Sequence, residues 1–316
     1  MVYIVNAFRT PFSFNDGSLR LVNEDKMMIF MVKNLFASCG VSEELLQRIY
    51  LSSHTKKHTI IGSKSKLAND GNLDILYTDP AMGGSMDSIF QANAAIKSKQ
   101  IHIVIAGGIF KPTKSPPNSY LEINPWVNKT EYSKAQFALS SGRLIEEIVP
   151  IPSGGGEMED VYADEVLANN LFHHAIIGGS LLLLMSEQKC EELQIVPLVK
   201  IKGVKRFGDE MIYSNSLFEQ VSQWISSLQV FWPEVGLIET NLCSHSDLKN
   251  ISEVTGIRQQ YINQNGLHLI GYPQGVVSAR ILTTLSHDLG KSKYRYGLGI
   301  INENNVFMAV LLEKIY

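Results

Sequence analysis

The stretch TDPAMGGSMDSIFQANAAIKSKQIHIVIAGG, residues 78–108, sets the fold class of this chain. It begins at the end of a β-rich run, turns through small residues, and continues as a helix near 84–98 and a strand at 101–108. A helix that connects two strands is typical of a parallel sheet covered by helices. In such a fold the turn before the helix can present a nucleophile, and Met82 stands at its tip. A thioether has no proton to lose, so Met82 cannot act as one.

The same alternation of strands and helices extends in both directions from this stretch. VYIV (2–5), RIYLSS (48–53), LDILYT (73–78) and GGSLLLLMSE (178–187) are predicted strands, and the spacing of apolar residues predicts a helix over 23–39. We therefore expect an α/β protein with a largely parallel sheet covered by helices.

The second half of the chain repeats the order of elements in the first half. A duplication of this kind determines the fold, because each half must then form the same supersecondary unit. It predicts an N-terminal half, 1–195, with a loop insertion at about 111–177, and a C-terminal half, 196–316. The matching segments are 2–12 with 198–208, 23–39 with 215–228, 48–53 with 235–241, 84–108 with 274–301, and 180–187 with 306–313.

Composition narrows the functional classes. The 316 residues are 45% hydrophobic and 19% charged, and the formal net charge of −3 gives no reason to expect nucleic acid or an anionic membrane as a partner. The three cysteines have no metal-ligand spacing and no disulfide pattern, so we expect a cytoplasmic protein without a metal or cofactor. The N-terminal residues do not resemble a signal peptide, and no apolar run is long enough to cross a bilayer.

Several segments resemble the thiolase superfamily. Its members acylate a cysteine and join or split carbon–carbon bonds β to a thioester. The resemblance implies a five-layer αβαβα fold built from two similar halves. It is carried by VYIVNAFRTPF (2–12), IHIVIAGG (101–108), GRLIEEIVPI (142–151), SLLLLMSEQKCEELQIVPLVKIKG (180–203) and GYPQGVVSARIL (271–282).

The resemblance also implies a set of catalytic positions. The family reaction needs a thiolate at a helix N-terminus, where the helix dipole lowers its pKa, and a histidine that activates it. It needs a second base, often cysteine, and an asparagine that orients a water molecule in an oxyanion hole. These four positions fall at Met82, Tyr272, a site near Asn302 and Asn241. Only the asparagine is retained, which predicts that the family chemistry has been lost.

Two further features bear on function. The segment between Gly108 and Gly178 is shorter than the family's loop that builds much of the coenzyme A pocket, so we expect weak or absent coenzyme A binding. Cys243 and His245 could form a relocated catalytic pair, but residues two apart do not face each other on a helix. On a strand they lie nearly 7 Å apart along the chain, so local spacing does not favour the pair.

The leading hypothesis is a catalytically degenerate thiolase-like subunit. It would stabilise, or shape the pocket of, an active thiolase or ketosynthase homologue. One alternative is a thiolase-type acyltransferase with relocated catalytic residues, and another is a protein that binds an acyl group or other small ligand. Either a homodimer or a heterodimer with an active homologue is expected, paired through LDILYT at 73–78.

Overall fold

The computed structural model describes most of both predicted halves. The described residues are 1–14, 17–53, 73–80, 84–111, 133–134, 137–138, 140–141, 143–149, 151–152, 160–161, 176–207, 216–242, 245–266, 273, 275–303 and 306–316. Three of the predicted site residues, Met82, Tyr272 and Cys243, lie outside these ranges.

Strands and helices alternate along the described chain. The helices are α1 (Glu24–Ala37), α2 (Gly84–Lys97), α3 (Glu187–Glu192), α4 (Ser216–Ser227), α5 (His245–Thr255) and α6 (Val277–Lys291). The strands are β1 (Val2–Arg9), β2 (Ser13–Phe14), β3 (Arg48–Ser52), β4 (Asp74–Thr78), β5 (Ile103–Phe110), β6 (Ile151–Pro152), β7 (Asp160–Val161), β8 (Ile176–Ser186), β9 (Val199–Phe207), β10 (Val235–Thr240), β11 (Tyr296–Glu303) and β12 (Val306–Lys314).

The principal sheet has the strand order β10-β11-β12-β9-β1-β8-β5-β3-β4. Strands of the first half occupy one side and strands of the second half the other. They join where β1 pairs with β9 through Val2–Ile201, Tyr3–Lys200 and Ile4–Val199. Within the described residues, the order outward from this junction is β1-β8-β5-β3-β4 on one side and β9-β12-β11-β10 on the other. The exact boundary between residues 195 and 196 stays a prediction.

The expectation of a largely parallel sheet is wrong. β4 and β5 run parallel to β3, and β10 runs parallel to β11, but β8 is antiparallel to both β1 and β5. β8 is almost entirely buried along its length. A strand that is buried on both faces has a continuous apolar sequence whether its neighbours run parallel or antiparallel. The Leu-rich sequence of β8 therefore could not distinguish parallel from antiparallel pairing.

Three apolar clusters form the layers between the strands and helices. The central cluster contains side chains from α2, α6 and strands of both halves. A second cluster packs α1 against the first half, and a third packs α4 and α5 against the second half. The resulting order is helix, strand, helix, strand, helix. This confirms the predicted α/β thiolase-like arrangement and places α2 and α6 at its centre.

A buried ion pair within the predicted first half contacts α6 of the second half. Arg9, at the end of β1, donates from Nε to Glu147 at 2.5 Å, and both side chains are at most 2% exposed. The other oxygen of Glu147 accepts a hydrogen bond from Thr284 on α6 at 2.7 Å. Removing one partner of a buried pair leaves an uncompensated charge, so this contact strongly constrains where α6 lies relative to β1.

None of the helices in the described residues is both long enough and apolar enough to span a membrane.

Candidate functional site

The turn between β4 and α2 corresponds to the predicted nucleophile elbow. Residues 81–83, and with them Met82, lie outside the described residues, but both flanks of the turn are described. The Gly84 N–H donates to the Asp79 carbonyl at 3.1 Å, and the Ser85 N–H donates to the Gly275 carbonyl at 2.9 Å. The first two N–H groups of α2 are therefore bonded to carbonyls of the chain itself. The prediction that Met82 occupies the nucleophile position stays a prediction.

Gly275 brings the second half of the chain against this turn. A Cβ on Gly84 would lie 2.5 Å from the Gly275 Cα, and a Cβ on Gly108 would lie 2.4 Å from the Gly275 carbonyl oxygen. Gly275 itself has φ +73°, and its own Cβ would lie 2.6 Å from both Pro80 and Ser52. Only glycines allow backbones to approach this closely. Gly275, the last residue of the Gly-x-Pro-x-Gly segment, therefore packs directly against the flanks of the elbow. Tyr272 lies outside the described residues.

Hydroxyl groups stabilise the base of the turn. Thr78, the last residue of β4, donates to the Gly84 carbonyl at 2.9 Å and lies 2.8 Å from the Ser88 hydroxyl. Ser85 accepts a hydrogen bond from the Ala279 N–H on α6 at 3.1 Å. These contacts fix the N-terminal turns of α2 and α6 against each other.

The two acidic residues near the elbow have structural contacts. Asp87 lies in the first turn of α2 and forms an ion pair with Arg206 of β9 at 2.7 Å. The Asp79 carbonyl accepts the Gly84 N–H, so this residue contributes its main chain to the start of the helix.

Asn241 and Asn302 are brought together by the structure. The Asn241 carboxamide accepts the Asn302 N–H at 2.8 Å and donates to the Asn302 carbonyl at 2.5 Å. The pair acts as an additional rung of the β10/β11 ladder, beyond its last main-chain pair at Thr240 and Ile300. The Asn241 carboxamide therefore uses its NH₂ group and its oxygen to bond the main chain of β11.

The face of β11 that points towards α2 and α6 presents Ile301. Ile301 is fully buried and belongs to the central cluster with Met86 of α2 and Val277 of α6, whereas Ile300 belongs to the outer cluster. Side chains alternate along a strand, so Asn302 lies on the outer face with Ile300. The residue on the α2/α6 face is therefore an isoleucine, and the placement of the second base near Asn302 stays a prediction.

The described cysteines are poor nucleophiles. Cys190 belongs to the outer cluster of the first half, and Cys39 packs against that cluster. Burial raises the pKa of the Cys39 thiol, and burial together with nearby Glu187 raises the pKa of Cys190 to about 11. A thiol of this kind is protonated at neutral pH and unreactive.

The alternative Cys243–His245 pair is only partly described. Cys243 and the side chain of His245 lie outside the described residues. His245 is the first residue of α5. The relocated pair therefore stays a prediction.

Ionisable side chains behind β10 and α6 form a feature that the sequence reasoning missed. Glu239 is 2% exposed, and burial, with the negative charge of Asp288 as the next cause, raises its pKa well above 4.5. Burial also raises the pKa of Asp288 on α6. Arg280 is fully buried in the same region and favours the ionised form of Glu239. The only sequence signal was a glutamate at the end of an otherwise apolar strand, VGLIE.

A metal site is not supported by the part of the chain that the structure describes. No group of three or more histidine, cysteine, aspartate or glutamate side chains there could hold a metal ion.

Comparison with known proteins agrees with this architecture. Residues 2–126 match the family model described as thiolase, N-terminal domain. A probable acetyl-CoA acetyltransferase of Escherichia coli (strain K12) is 20% identical, with 95% of each chain covered. A probable acetyl-CoA acyltransferase of Staphylococcus aureus (strain N315) is 26% identical over 49% of this chain and 46% of its own.

Two solved structures share the fold over nearly the whole chain. The crystal structure of the Bacillus anthracis acetyl-CoA acetyltransferase superposes with a TM-score of 0.81 at 17% identity, covering 99% of this chain and 98% of that one. Human mitochondrial 3-ketoacyl-CoA thiolase superposes with a TM-score of 0.79 at 16% identity, covering 100% and 99%. At this level of identity the structural likeness establishes the fold alone.

Proposed function

We propose that this thiolase-fold chain is a catalytically degenerate subunit that pairs with an active thiolase-type homologue and stabilises it or shapes its acyl pocket. The observation that carries the proposal is the bidentate bond between the Asn241 carboxamide and the main chain of Asn302. The position that would help to hold a catalytic water is used here to extend a sheet. Cytoplasmic location is part of this proposal.

Residue chemistry at the other positions supports the same function. Met82 and Tyr272 stand where the family resemblance expects a thiolate and an imidazole. A methionine cannot be acylated reversibly, and a phenol, with an ordinary pKa of about 10, is a poor base at neutral pH. Ile301 supplies an apolar side chain to the α2/α6 face of β11. Restoring activity would therefore require several simultaneous substitutions.

The outer edge of the first half offers a surface for a partner. β4 pairs with β3 on one side, and its Leu76 is 42% exposed. Next to it, α2 lies at the centre of the fold yet leaves Gln91, Ala94 and Lys97 exposed. A strand that pairs on one side only within the described residues, beside an exposed helix stripe, is suited to a twofold dimer that continues the sheet.

Activity assays test the degenerate assignment. The purified chain should show no thiolysis of acetoacetyl-CoA and no condensation of acetyl-CoA. Met82→Cys alone should not restore turnover, because Tyr272 supplies no base. Turnover by the unmodified chain that is abolished by Cys243→Ala, but not by Cys190→Ala, would instead establish the acyltransferase with relocated residues.

Co-purification from the native host tests the partner. An intact thiolase-fold homologue should elute with this chain in a defined ratio and lose activity or stability when the chain is absent.

Calorimetry should show weak or no coenzyme A binding. A Kd for coenzyme A that is micromolar or tighter, about 8 kcal/mol of binding free energy, would contradict this expectation. A stable monomer that has no partner in its host would refute the subunit function.

The acyltransferase alternative is supported by the names of the relatives, which include acetyl-CoA acetyltransferases. Covalent acylation of the purified chain, located by mass spectrometry, would favour it. A small molecule that co-purifies with a homodimer would favour the ligand-binding alternative.

A further inference from the structure

Three buried polar atoms behind the end of β10 have no hydrogen-bond partner within the described residues. They are Glu239 Oε2, Asn263 Nδ2 and Asn265 Oδ1. Glu239 is 2% exposed, and both asparagines are fully buried. An unsatisfied buried polar group costs about 1–3 kcal/mol, so three in one region require a physical explanation.

The orientation of both asparagine side chains is set by their other contacts. Asn263 Oδ1 accepts the Thr240 N–H at 2.7 Å, which leaves its Nδ2 as the remaining donor. Asn265 Nδ2 donates to Asp288 Oδ2 at 2.7 Å, which leaves its Oδ1 as the remaining acceptor. The region therefore presents one donor from Asn263 and one acceptor from Asn265, in addition to the carboxyl group of Glu239.

The main chain holds these groups in one neighbourhood. The Asn263 N–H donates to the Ile238 carbonyl at 2.8 Å while its side chain accepts from Thr240, so Asn263 brackets Glu239 on both sides. Asp288, the partner of Asn265, is the charged neighbour with the largest effect on Glu239. Asn263 also has φ +47°, a left-handed conformation that is uncommon for residues other than glycine. Such backbone strain persists only where surrounding contacts fix it.

We propose that Glu239, Asn263 and Asn265 form a binding site for one buried water molecule. The water would accept a hydrogen bond from Asn263 Nδ2 and donate one to Asn265 Oδ1. Glu239 Oε2 would accept the second water hydrogen or, as a neutral acid, donate its own proton. Three such bonds are typical of a structural water in a protein interior.

A monovalent cation is a poorer occupant of this site. The Asn263 amide presents N–H to the site, and Arg280 and Lys134 already contribute positive charge near Glu239. A neutral molecule that can both donate and accept matches the available atoms better than a cation, which could only be coordinated by the two oxygens.

The site has a consequence for Asn241. Asn263 bonds to Thr240, which directly precedes Asn241, and Asn241 in turn bonds to the main chain of Asn302. The water site is therefore a positioning element for the end of β10. This inference is independent of whether the chain is catalytic.

A crystal structure of the full chain, at about 1.8 Å resolution or better, tests the site directly. The expected result is one solvent peak within hydrogen-bond distance, about 3.2 Å, of all three atoms. Direct bonds among the three side chains would overturn the proposal. An anomalous peak at the site after a rubidium chloride soak would also overturn it, in favour of a cation.

Unfolding equilibria of paired variants give a second test that does not depend on crystals. Glu239→Gln keeps polar atoms of the same reach and should retain the water, whereas Glu239→Met should raise the unfolding constant by about tenfold to a hundredfold. Glu239→Met and Asn265→Leu remove the same water. The double variant should therefore be far less destabilised than the product of the two single effects. Independent, multiplicative effects would refute a shared water.

Hydrogen exchange connects the site to Asn241. The Asn302 amide should exchange about tenfold faster in Glu239→Met than in Glu239→Gln, because the end of β10 is released. Equal exchange rates in the two variants would show that the site does not position Asn241.

Discussion

The two edges of the principal sheet differ in how they are covered. At one edge, β10 is buried at every residue, and the turn that contains Asn263 is hydrogen-bonded along it. At the other edge, Asp74 and Leu76 of β4 are exposed. Within the described residues, the chain bridges the outer side of β10, and no strand pairs with the outer side of β4. We call these the closed edge and the open edge.

The difference lies in which described segment borders each edge. Ile262 forms an isolated bridge to Ile238 at the β10 edge, in the place that β4 occupies in the first half. This bridge, together with the bonds of Asn263 to the main chain of Thr240 and Ile238, uses hydrogen-bonding groups on the outer side of β10. In the proposed assembly the partner covers the open edge at β4, since uncovered edges promote aggregation.

The largest effect is expected from a charge on the open edge. Leu76→Asp should raise the dissociation constant of the proposed dimer by a hundredfold or more, because an unpaired charge in an interface costs several kcal/mol. Leu76 is a better position than Ile75, which packs partly into the first-half core. Sedimentation velocity measures the change. Leu21→Asp, at a residue 59% exposed in a different part of the first half, is the control and should remain dimeric.

If Leu76→Asp and Leu21→Asp sediment alike, the β4 edge is not the interface. The comparison between the edges would then lose its functional meaning.

A smaller effect is expected from opening the closed edge. Asn263→Ala removes the acceptor of the buried Thr240 N–H and places alanine, which adopts left-handed backbone angles less readily than asparagine, at φ +47°. We expect a loss of about 1–3 kcal/mol from the unpaired donor, with less than about 1 kcal/mol more from the backbone. Urea denaturation measures both. Asn263→Gly removes the acceptor but tolerates the backbone angle, so it should be the milder variant. Equal losses would mean that the backbone conformation carries no strain.

The buried acids behind the closed edge predict a pH dependence. Burial raises the pKa of both Glu239 and Asp288 in the folded protein, so the folded state binds protons that the unfolded state has released. Their contribution to stability is full below the ordinary carboxyl pKa of about 4.5 and is lost as pH rises through the folded pKa values. Urea midpoints between pH 5 and 8 should therefore fall with rising pH. Glu239→Gln should flatten the profile, and an unchanged slope would exclude Glu239 as its source.

The smallest effect concerns the ion pair across the open edge. Arg48 and Asp74 are 3.1 Å apart, and the Asp74 side chain is 64% exposed. In a monomeric Leu76→Asp background, Asp74→Asn should change the free energy of unfolding by less than about 1 kcal/mol. In the dimer the same substitution should matter more, because the partner would shield the pair from water. Indistinguishable effects in both backgrounds would argue that Asp74 stays solvated in the assembly.

Local patterns were enough to locate the central elements. The spacing in 78–108 predicted β4, α2 and β5 within a few residues of their observed bounds, because each has a clear period and ends at a turn. The repeat then implied the remaining layers. The direction of β8 was not accessible, since its apolar run reflects burial on both faces rather than pairing.

The site depended on contacts that are distant in sequence. The Asn241–Asn302 bond joins residues 61 positions apart, and no local pattern signals it. The assignment of Ile301 rather than Asn302 to the α2/α6 face required the strand register, where an error of one residue reverses the face. Glu239 could be read only as an isolated charge in an apolar strand until α6 was placed beside it.

The glycine contact at the elbow has a consequence for how the chain acquires its structure. Gly84 and Gly275 meet backbone to backbone although 190 residues separate them in the chain. Contacts between such distant residues slow folding, because a long loop must close before the contact contributes any stability. During synthesis, the β4 edge and the exposed stripe of α2 emerge long before Gly275 can reach them. The nascent first half therefore exposes the β4 edge before the contacts at its centre have formed. Early binding by a partner or chaperone would protect this edge from aggregation.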